Sequence, residues 1–465
     1  MEAKVFDRAR AALPPRIARR ITPNRLAFAG LFGGALMAFL ALGAVLPVIP
    51  RYVKGPLGAG DVAVGVATGA FSITAVISRP IAGRLTDSRG RRTIVLAGAL
   101  LAALAGGLYF VPAGMAGLLA ARLVLGCGEA CLFTAGLTWT ADIAPQGSRG
   151  RSLGLFGLAI WSAMSVGPVI GEALLAAGGY RAVWAFATLS PLAGAWVITR
   201  LTDSPLSAPR TSRQPWIARE SLRPGSALAL ASVGYAALAA FIVLHLAGRG
   251  AGHGAAVFAA FASAVVGQRL LAGWLPDHIG PRRTAVGAAC AEAAGLAVIA
   301  MATSVPVAVV GALLMGTGFS LMYPSLALMV VDATADDRRG SALGGFTAFF
   351  DIGFGLGAPL VGAIASVSSY AAGFWAAAGL ALAGVRSPRP APAPGGGLRP
   401  PPRGRPSGRL DAMLGTASKR QGVHPPGSAE ELAGSRVLDA EGREVALAEL
   451  WRDRPAVLVW LRHYG

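Results

Sequence analysis

The stretch Gly83-Arg-Leu-Thr-Asp-Ser-Arg-Gly-Arg-Arg92 occurs a second time in the chain, as Gly273-Trp-Leu-Pro-Asp-His-Ile-Gly-Pro-Arg-Arg283. Gly83 pairs with Gly273, Leu85 with Leu275, Asp87 with Asp277, Gly90 with Gly280 and Arg92 with Arg282, always 190 positions apart. The register extends outward through Arg79 and Arg269, Gly126 and Gly316, Gly128 and Gly318, and Asp142 and Asp332, as far as Gly167 and Gly357. Two glycine-rich and alanine-rich helices match at a few positions by chance, but not at charged positions in register. The chain is therefore a parallel duplication of two halves.

Composition says what solvent those halves occupy. Of 465 residues, 54% are hydrophobic and 14% charged, with the charges in bursts between long apolar runs. A run of about 20 apolar residues is the length that crosses a bilayer as a helix. Twelve such spans are expected, six at about 26–50, 62–82, 93–112, 116–137, 153–176 and 182–200. The other six lie at about 226–247, 255–275, 284–304, 306–330, 341–366 and 370–385, the last being short. The fold class is thus an all-α membrane protein: two six-helix bundles, 26–200 and 226–385, related by pseudo-symmetry. A polar loop at 201–225 joins them, and a basic segment at 1–25 leads in.

The formal charge of +19 would point to nucleic acid in a soluble chain. Here the basic residues flank apolar spans and report topology instead. With the N-terminus inside, 22 Lys and Arg up to residue 385 face the cytoplasm and four (Arg51, Lys54, Arg181 and Arg249) face the other way. Both motif copies and both termini are then expected in the cytoplasm, and the chain in an inner or plasma membrane. The first 25 residues, with seven basic residues and no cleavage site, do not read as a signal peptide. Three cysteines, all inside apolar spans, indicate no disulfide framework.

At Gly83-x-Leu85-x-Asp87-x-x-Gly90-Arg91-Arg92 the chain resembles the major facilitator superfamily, whose signature lies between its second and third helices; the 273–283 copy falls between the eighth and ninth. The resemblance covers residues 25–385. It implies two six-helix bundles around a central cavity that opens to each side in turn. It also implies that Gly83, Asp87, Gly90, Arg91, Arg92, Gly273, Asp277, Gly280 and Arg282 belong to a cytoplasmic gate. Pro281 stands where the first copy has Arg91, so the second latch is expected to be weaker. Physically, Gly83 permits close helix contact and Asp87 can meet the positive end of a neighbouring helix.

A charge at membrane depth is costly and is a functional candidate by default. In Arg122-x-x-x-Gly126-x-Gly128-Glu129, Glu129 lies two helical turns from Arg122, near the same face, and the two are expected to share the cavity or form an ion pair. The arginine resembles one linked in the family to proton transfer. The fifth span, with Ala163, Gly167-Pro168, Gly171 and Glu172, resembles the family's antiporter motif. Ala163 and Glu172 stand where that motif has glycines. Gly167, Pro168 and Gly171 are its expected hinge, since a proline in a small-residue stripe lets a helix bend. Asp351, in the glycine stripe Gly353, Gly355 and Gly357, and Glu172 are further coupling or substrate candidates, and Glu292 a weaker one.

No nucleotide-binding loop and no Cys/His cluster at metal spacing is present, so neither cofactor nor metal is expected and an ion gradient would supply the energy. The expected function is proton-coupled efflux of a small organic compound, with proton-driven uptake of a nutrient as the alternative. The expected partners are that substrate, protons and the lipid bilayer, in a monomer without enzymatic activity.

After Val385 the composition changes. Residues 386–427 open on a Pro/Gly/Arg-rich linker, and 428–465 return to a soluble pattern. The segments Leu438–Leu447 and Ala456–Gly465 resemble the opening of a thioredoxin-like, peroxiredoxin-related domain. The sequence ends at Gly465, where that family's reactive residue falls due. One reading is a selenocysteine codon taken as a stop, which would make the whole a membrane-anchored oxidoreductase; a truncated fusion or frameshifted tail is the other.

Overall fold

The structure, a computed structural model, describes residues 23–144, 149–202, 218–252, 254–334, 339–386, 436–438 and 444–446. Among the described residues of the first unit there are thirteen helices: α1 (Pro23–Val45), α2 (Val48–Lys54), α3 (Asp61–Arg89), α4 (Arg91–Leu108), α5 (Gly114–Ile143), α6 (Arg149–Thr199), α7 (Arg219–Ala247), α8 (Ala255–Ala272), α9 (Leu275–Ile279), α10 (Pro281–Met301), α11 (Val305–Ala333), α12 (Arg339–Val367) and α13 (Tyr370–Arg386). Nine helical stretches among the described residues are long and apolar enough to cross a membrane, and two shorter apolar helices, Ala256–Ala272 and Tyr370–Gly384, accompany them. One of the nine, within α6, is 48 residues long. The backbone breaks inside it at Gly178 and Gly179, where Gly179 takes φ +65°. That break falls between the expected fifth and sixth spans.

The 190-residue register is visible in the packing. Helix α1 packs on α6 as α7 packs on α12; α3 on α5 as α8 on α11; α4 on α5 as α10 on α11. Small residues set the approach at matching positions. A Cβ on Gly126 would collide with the Phe71 carbonyl, and one on Gly316 would lie 2.5 Å from the carbonyl of Phe261, the register mate of Phe71. Gly167 likewise meets the backbone of Gly43 at 2.8 Å, and Gly357 that of Val233, its mate, at 3.0 Å. Close backbone approach of this kind is how membrane helices gain van der Waals contact without a hydrophobic driving force between them. Both motif loops turn on a glycine that no other residue replaces without strain: Gly90 at φ 96°, ψ 152° and Gly280 at φ 91°, ψ 145°.

Two seams join the halves, α3 against α12 and α6 against α8. Along α3 the tight contacts lie toward its N-terminus: Gly65 abuts Ala358, a Cβ on Gly69 would lie 2.7 Å from the Gly355 carbonyl, and Tyr370 donates to Asp61 at 2.7 Å. At the motif end of α3 contact is sparse, and a Cβ on Gly83 would meet only Thr134, at 3.9 Å. Apolar side chains such as Ile73, Ile77, Ile81, Leu100 and Leu104 lie exposed in helical rows, an arrangement that suits hydrocarbon as the surrounding solvent.

In the second unit, residues 394–465, β1 (Arg436–Leu438) and β2 (Glu444–Ala446) pair antiparallel with Val437 opposite Val445. Both strands fall in the stretch read above as having a soluble pattern; residues 456–465 and the linker residues 387–427 lie outside the described residues.

Candidate functional site

The site is built around an arginine that the sequence shows only as a register partner. Arg79, on α3, donates from Nε to Asp351 Oδ2 at 2.6 Å and from Nη2 to Asp351 Oδ1 at 3.2 Å. The same Nη2 lies 3.2 Å from each carboxylate oxygen of Glu129. Its guanidinium also sits 4.7 Å from the centre of the Phe133 ring. Asp351 comes from α12 and Glu129 from α5, so one cation ties the two halves together through two carboxylates. All three side chains are largely buried. With both acids ionised the cluster carries one surplus negative charge, so a single proton makes it neutral.

Arg122 does not join this cluster, contrary to the expectation from helical spacing. It is fully buried, and it donates to the backbone carbonyls of Ala67 at 2.9 Å and Thr68 at 2.7 Å while covering the Phe71 ring. It fastens α5 to α3. The two side chains leave α5 near the same face, but Arg122 turns to carbonyl acceptors one helix away while Glu129 reaches the nearer cation, Arg79.

Glu172 is likewise placed elsewhere. It forms a bidentate pair with Arg51, at 2.7 and 2.9 Å, toward the end of the bundle away from the motifs. Lys54 and Asp61 pair at the same end, at 2.8 Å. Gly167 and Gly171 pack against the backbone of Gly43 and Ala44, and α6 runs through Pro168, so the break in this segment falls later, at Gly178 and Gly179. Glu292, on α10, is completely buried, and neither carboxylate oxygen has a hydrogen-bond partner among the described residues.

In the first motif Arg91 holds the loop together. It bonds Asp142 at 2.8 Å and the Thr86 carbonyl at 3.0 Å, and lies 3.6 Å from Asp87. Asp87, half exposed, thus lies beside the first residue of α4. Gly83, open on its far side, makes no close helix contact in this conformation. In the second copy Pro281 provides no guanidinium, and Asp277 and Arg282 are exposed.

A cluster of aromatic rings joins four helices drawn from both halves. Trp161 (α6), Tyr235 (α7), Phe261 (α8) and Phe319 (α11) are in mutual ring contact, with centroids 5.3–6.2 Å apart. Phe350 and Phe354 of α12 extend the group. Sequence reasoning passed these over because an aromatic in an apolar span carries no signal until its neighbours are known.

Comparison with known proteins decides the family. The family model described as Major Facilitator Superfamily matches residues 31–273 and 225–461. The chain belongs to the major facilitator superfamily. Superfamily relatives include an uncharacterized MFS-type transporter of Salmonella typhimurium, 31% identical over 75% of this chain and 92% of that one. Another, from Burkholderia mallei, is 31% identical over 75% of this chain and 88% of its own length. Among solved structures, the human organic anion transporter MFSD10 superposes with a TM-score of 0.62 at 19% identity, over 79% of this chain and 99% of that one. The nucleoside transporter NupG gives 0.63 at 13% identity, over 77% and 98%. A bacterial homologue of the lysosomal transporter Spinster, in an inward-facing and unoccupied conformation, gives 0.61 at 14%, over 78% and 94%. These likenesses establish the superfamily fold, and with it a multi-pass membrane transporter. The thioredoxin-like resemblance of the tail finds no support among them.

Proposed function

We propose that this superfamily member is a twelve-span, proton-coupled secondary transporter of a small organic compound, working by alternating access in a plasma membrane with both termini cytoplasmic. Six spans in each half follow if the Gly178–Gly179 break divides α6 and if both shorter apolar helices cross. The excess of basic residues at the motif end makes that end cytoplasmic. The halves are then sealed at the outer end, by the α3–α12 contacts from Asp61 to Gly69, and parted at the inner end.

One observation carries the coupling: a single guanidinium joins carboxylates from both halves, deep in the bundle, at 2.6 Å and 3.2 Å. Protonating Asp351 weakens the bond between the halves, so proton binding and the rocking of one bundle against the other share a free energy. Arg122 stands outside this exchange because its bonds run to carbonyls of its own half.

The small-residue stripe around Gly167-Pro168 favours efflux. The charge balance favours the second reading, uptake. Once the proton is on, two arginines of the cavity, Arg79 and Arg269, face one carboxylate, and such a site draws in negative charge together with the proton.

Everted membrane vesicles with an acidified lumen test the proposal, using a panel of labelled organic acids, amines and neutral compounds. Accumulation that a protonophore abolishes supports proton-coupled export. Protonophore-sensitive accumulation only in right-side-out vesicles at acidic external pH supports uptake. Transport indifferent to protonophores overturns the proton coupling.

A further inference from the structure

The duplication makes Arg269 the counterpart of Arg79, and the same offset aligns the residues around each. Glu129, beside Arg79, corresponds to Phe319; Asp351 corresponds to Trp161; Phe133, under the Arg79 guanidinium, corresponds to Tyr323. The surroundings of Arg269 thus repeat the arginine and carry aromatic rings at both carboxylate positions, Phe319 from the second half and Trp161 from the first. Trp161 and Phe319 are in edge contact, 5.5 Å between centroids.

The consequence is a half-buried cation with no counter-charge among the described residues. Among the described residues no carboxylate lies within ion-pair distance of Arg269, and its buried Nε has no hydrogen-bond partner. Its guanidinium lies against α6 at Gly157, where an added Cβ would sit 3.3 Å from Nη1. Trp161 stands one helical turn beyond Gly157. Tyr323, the polar neighbour of Arg269, stands one turn from Phe319 on α11 and bonds Thr347 through its hydroxyl at 2.9 Å. A planar fork of donors therefore lies one turn below a wall of aromatic rings, at the seam between the halves. A partly desolvated guanidinium with a buried, unpartnered N–H is costly, and its planar fork matches a carboxylate in particular.

We propose that Arg269 is the substrate's anion site, and that the substrate is a small organic anion: a carboxylate, or a comparably compact anionic head, on a flat apolar body. The head bonds the Arg269 fork and the body lies against Trp161 and Phe319. The arginine is retained in both halves because each needs a cation at that depth. Arg79 receives its carboxylates from the protein, and Arg269 receives one from the cargo.

This inference rests on the transporter reading, and binding measured without transport separates the two. The full chain in lipid nanodiscs is dialysed against naphthalene-2-carboxylate, its neutral carboxamide, and 2-naphthylmethylammonium. The carboxylate should bind at least about tenfold more tightly than the carboxamide, a step of 1.4 kcal/mol, and the ammonium most weakly. Arg269→Gln should bring the carboxylate down to the carboxamide's affinity and leave the carboxamide unchanged, which also shows that the variant folds. Should it fail to fold, Arg269→Lys must keep the order of the three ligands with a weaker carboxylate. Carboxamide binding as tight as carboxylate, an unaltered preference in Arg269→Gln, or no carboxylate binding to cooperatively unfolding wild-type protein would each overturn the assignment. Carboxylate selectivity that Arg269→Gln removes, in a protein that moves none of the three across vesicles, would uphold the anion site and sink the transporter reading.

Discussion

The two halves carry the same helix pairs, the same glycine contacts and the same arginine, yet differ in what surrounds that arginine. Around Arg79 stand Glu129 and Asp351; at the matching positions near Arg269 stand Phe319 and Trp161. A duplicated scaffold holds two cations at equivalent depth, and substitution of the neighbours divides the labour. One arginine is neutralised by the protein, in a manner a proton can alter. The other is left for a partner from outside. Arg122 and Glu172 sharpen the contrast, because their mates are Ala312 and Gly362 and nothing in the second half repeats their bonds.

If that contrast is right, perturbing matched positions should give unmatched results where the chemistry diverged and matched results where it did not. The largest effect is expected from Arg122→Ala. It removes two charge-assisted hydrogen bonds to α3, each worth about 1.5–3 kcal/mol, and thermal unfolding in detergent should show the first half melting early. Arg122→Lys should recover only part of the loss, since an ammonium lacks the fork that reaches both carbonyls. Next in size, Gly90→Ala and Gly280→Ala should each cost about 1–3 kcal/mol, and by the same amount, because the two glycines hold the same backbone conformation. A clear inequality in their unfolding midpoints would show that the loops are not equivalent.

Phe319→Glu tests the divergence itself, by giving Arg269 the acid that Arg79 has. The carboxylate-over-carboxamide preference should fall about tenfold, read by the same dialysis. The smallest effect is expected at Glu172→Gln. The Arg51 pair is partly solvated, and such pairs contribute about 1 kcal/mol or less, so the unfolding midpoint should barely move.

How far the sequence reveals this arrangement depends on what kind of contact made it. The superfamily fold is legible because helix length, glycine positions and the 190-residue offset are local or periodic properties, and the structure repeats them contact by contact. Arg79 was visible only as the mate of Arg269. Its role depends on Asp351, 272 residues away, and no spacing rule reaches across the two bundles. The Arg122–Glu129 pairing failed for a related reason: two side chains on one helical face compete for different neighbours, and those neighbours belong to other helices. The first motif copy is legible as a pattern, while the contact of Asp87 with Arg91 at the start of α4 follows from how its own loop folds. The aromatic wall had no sequence signal at all; what reveals it is the comparison of each ring with the acid at its matching position.

In the proposed cycle the carboxylates on Arg79 take up the proton that drives transport. A pH jump applied to proteoliposomes adsorbed on a solid-supported membrane tests it without knowledge of the substrate. Wild-type protein should give a transient charge movement when the external solution is acidified. Asp351→Asn should reduce it by about an order of magnitude or more, and the double variant with Glu129→Gln should abolish it. A transient of undiminished size in the double variant would contradict the account and place the proton elsewhere.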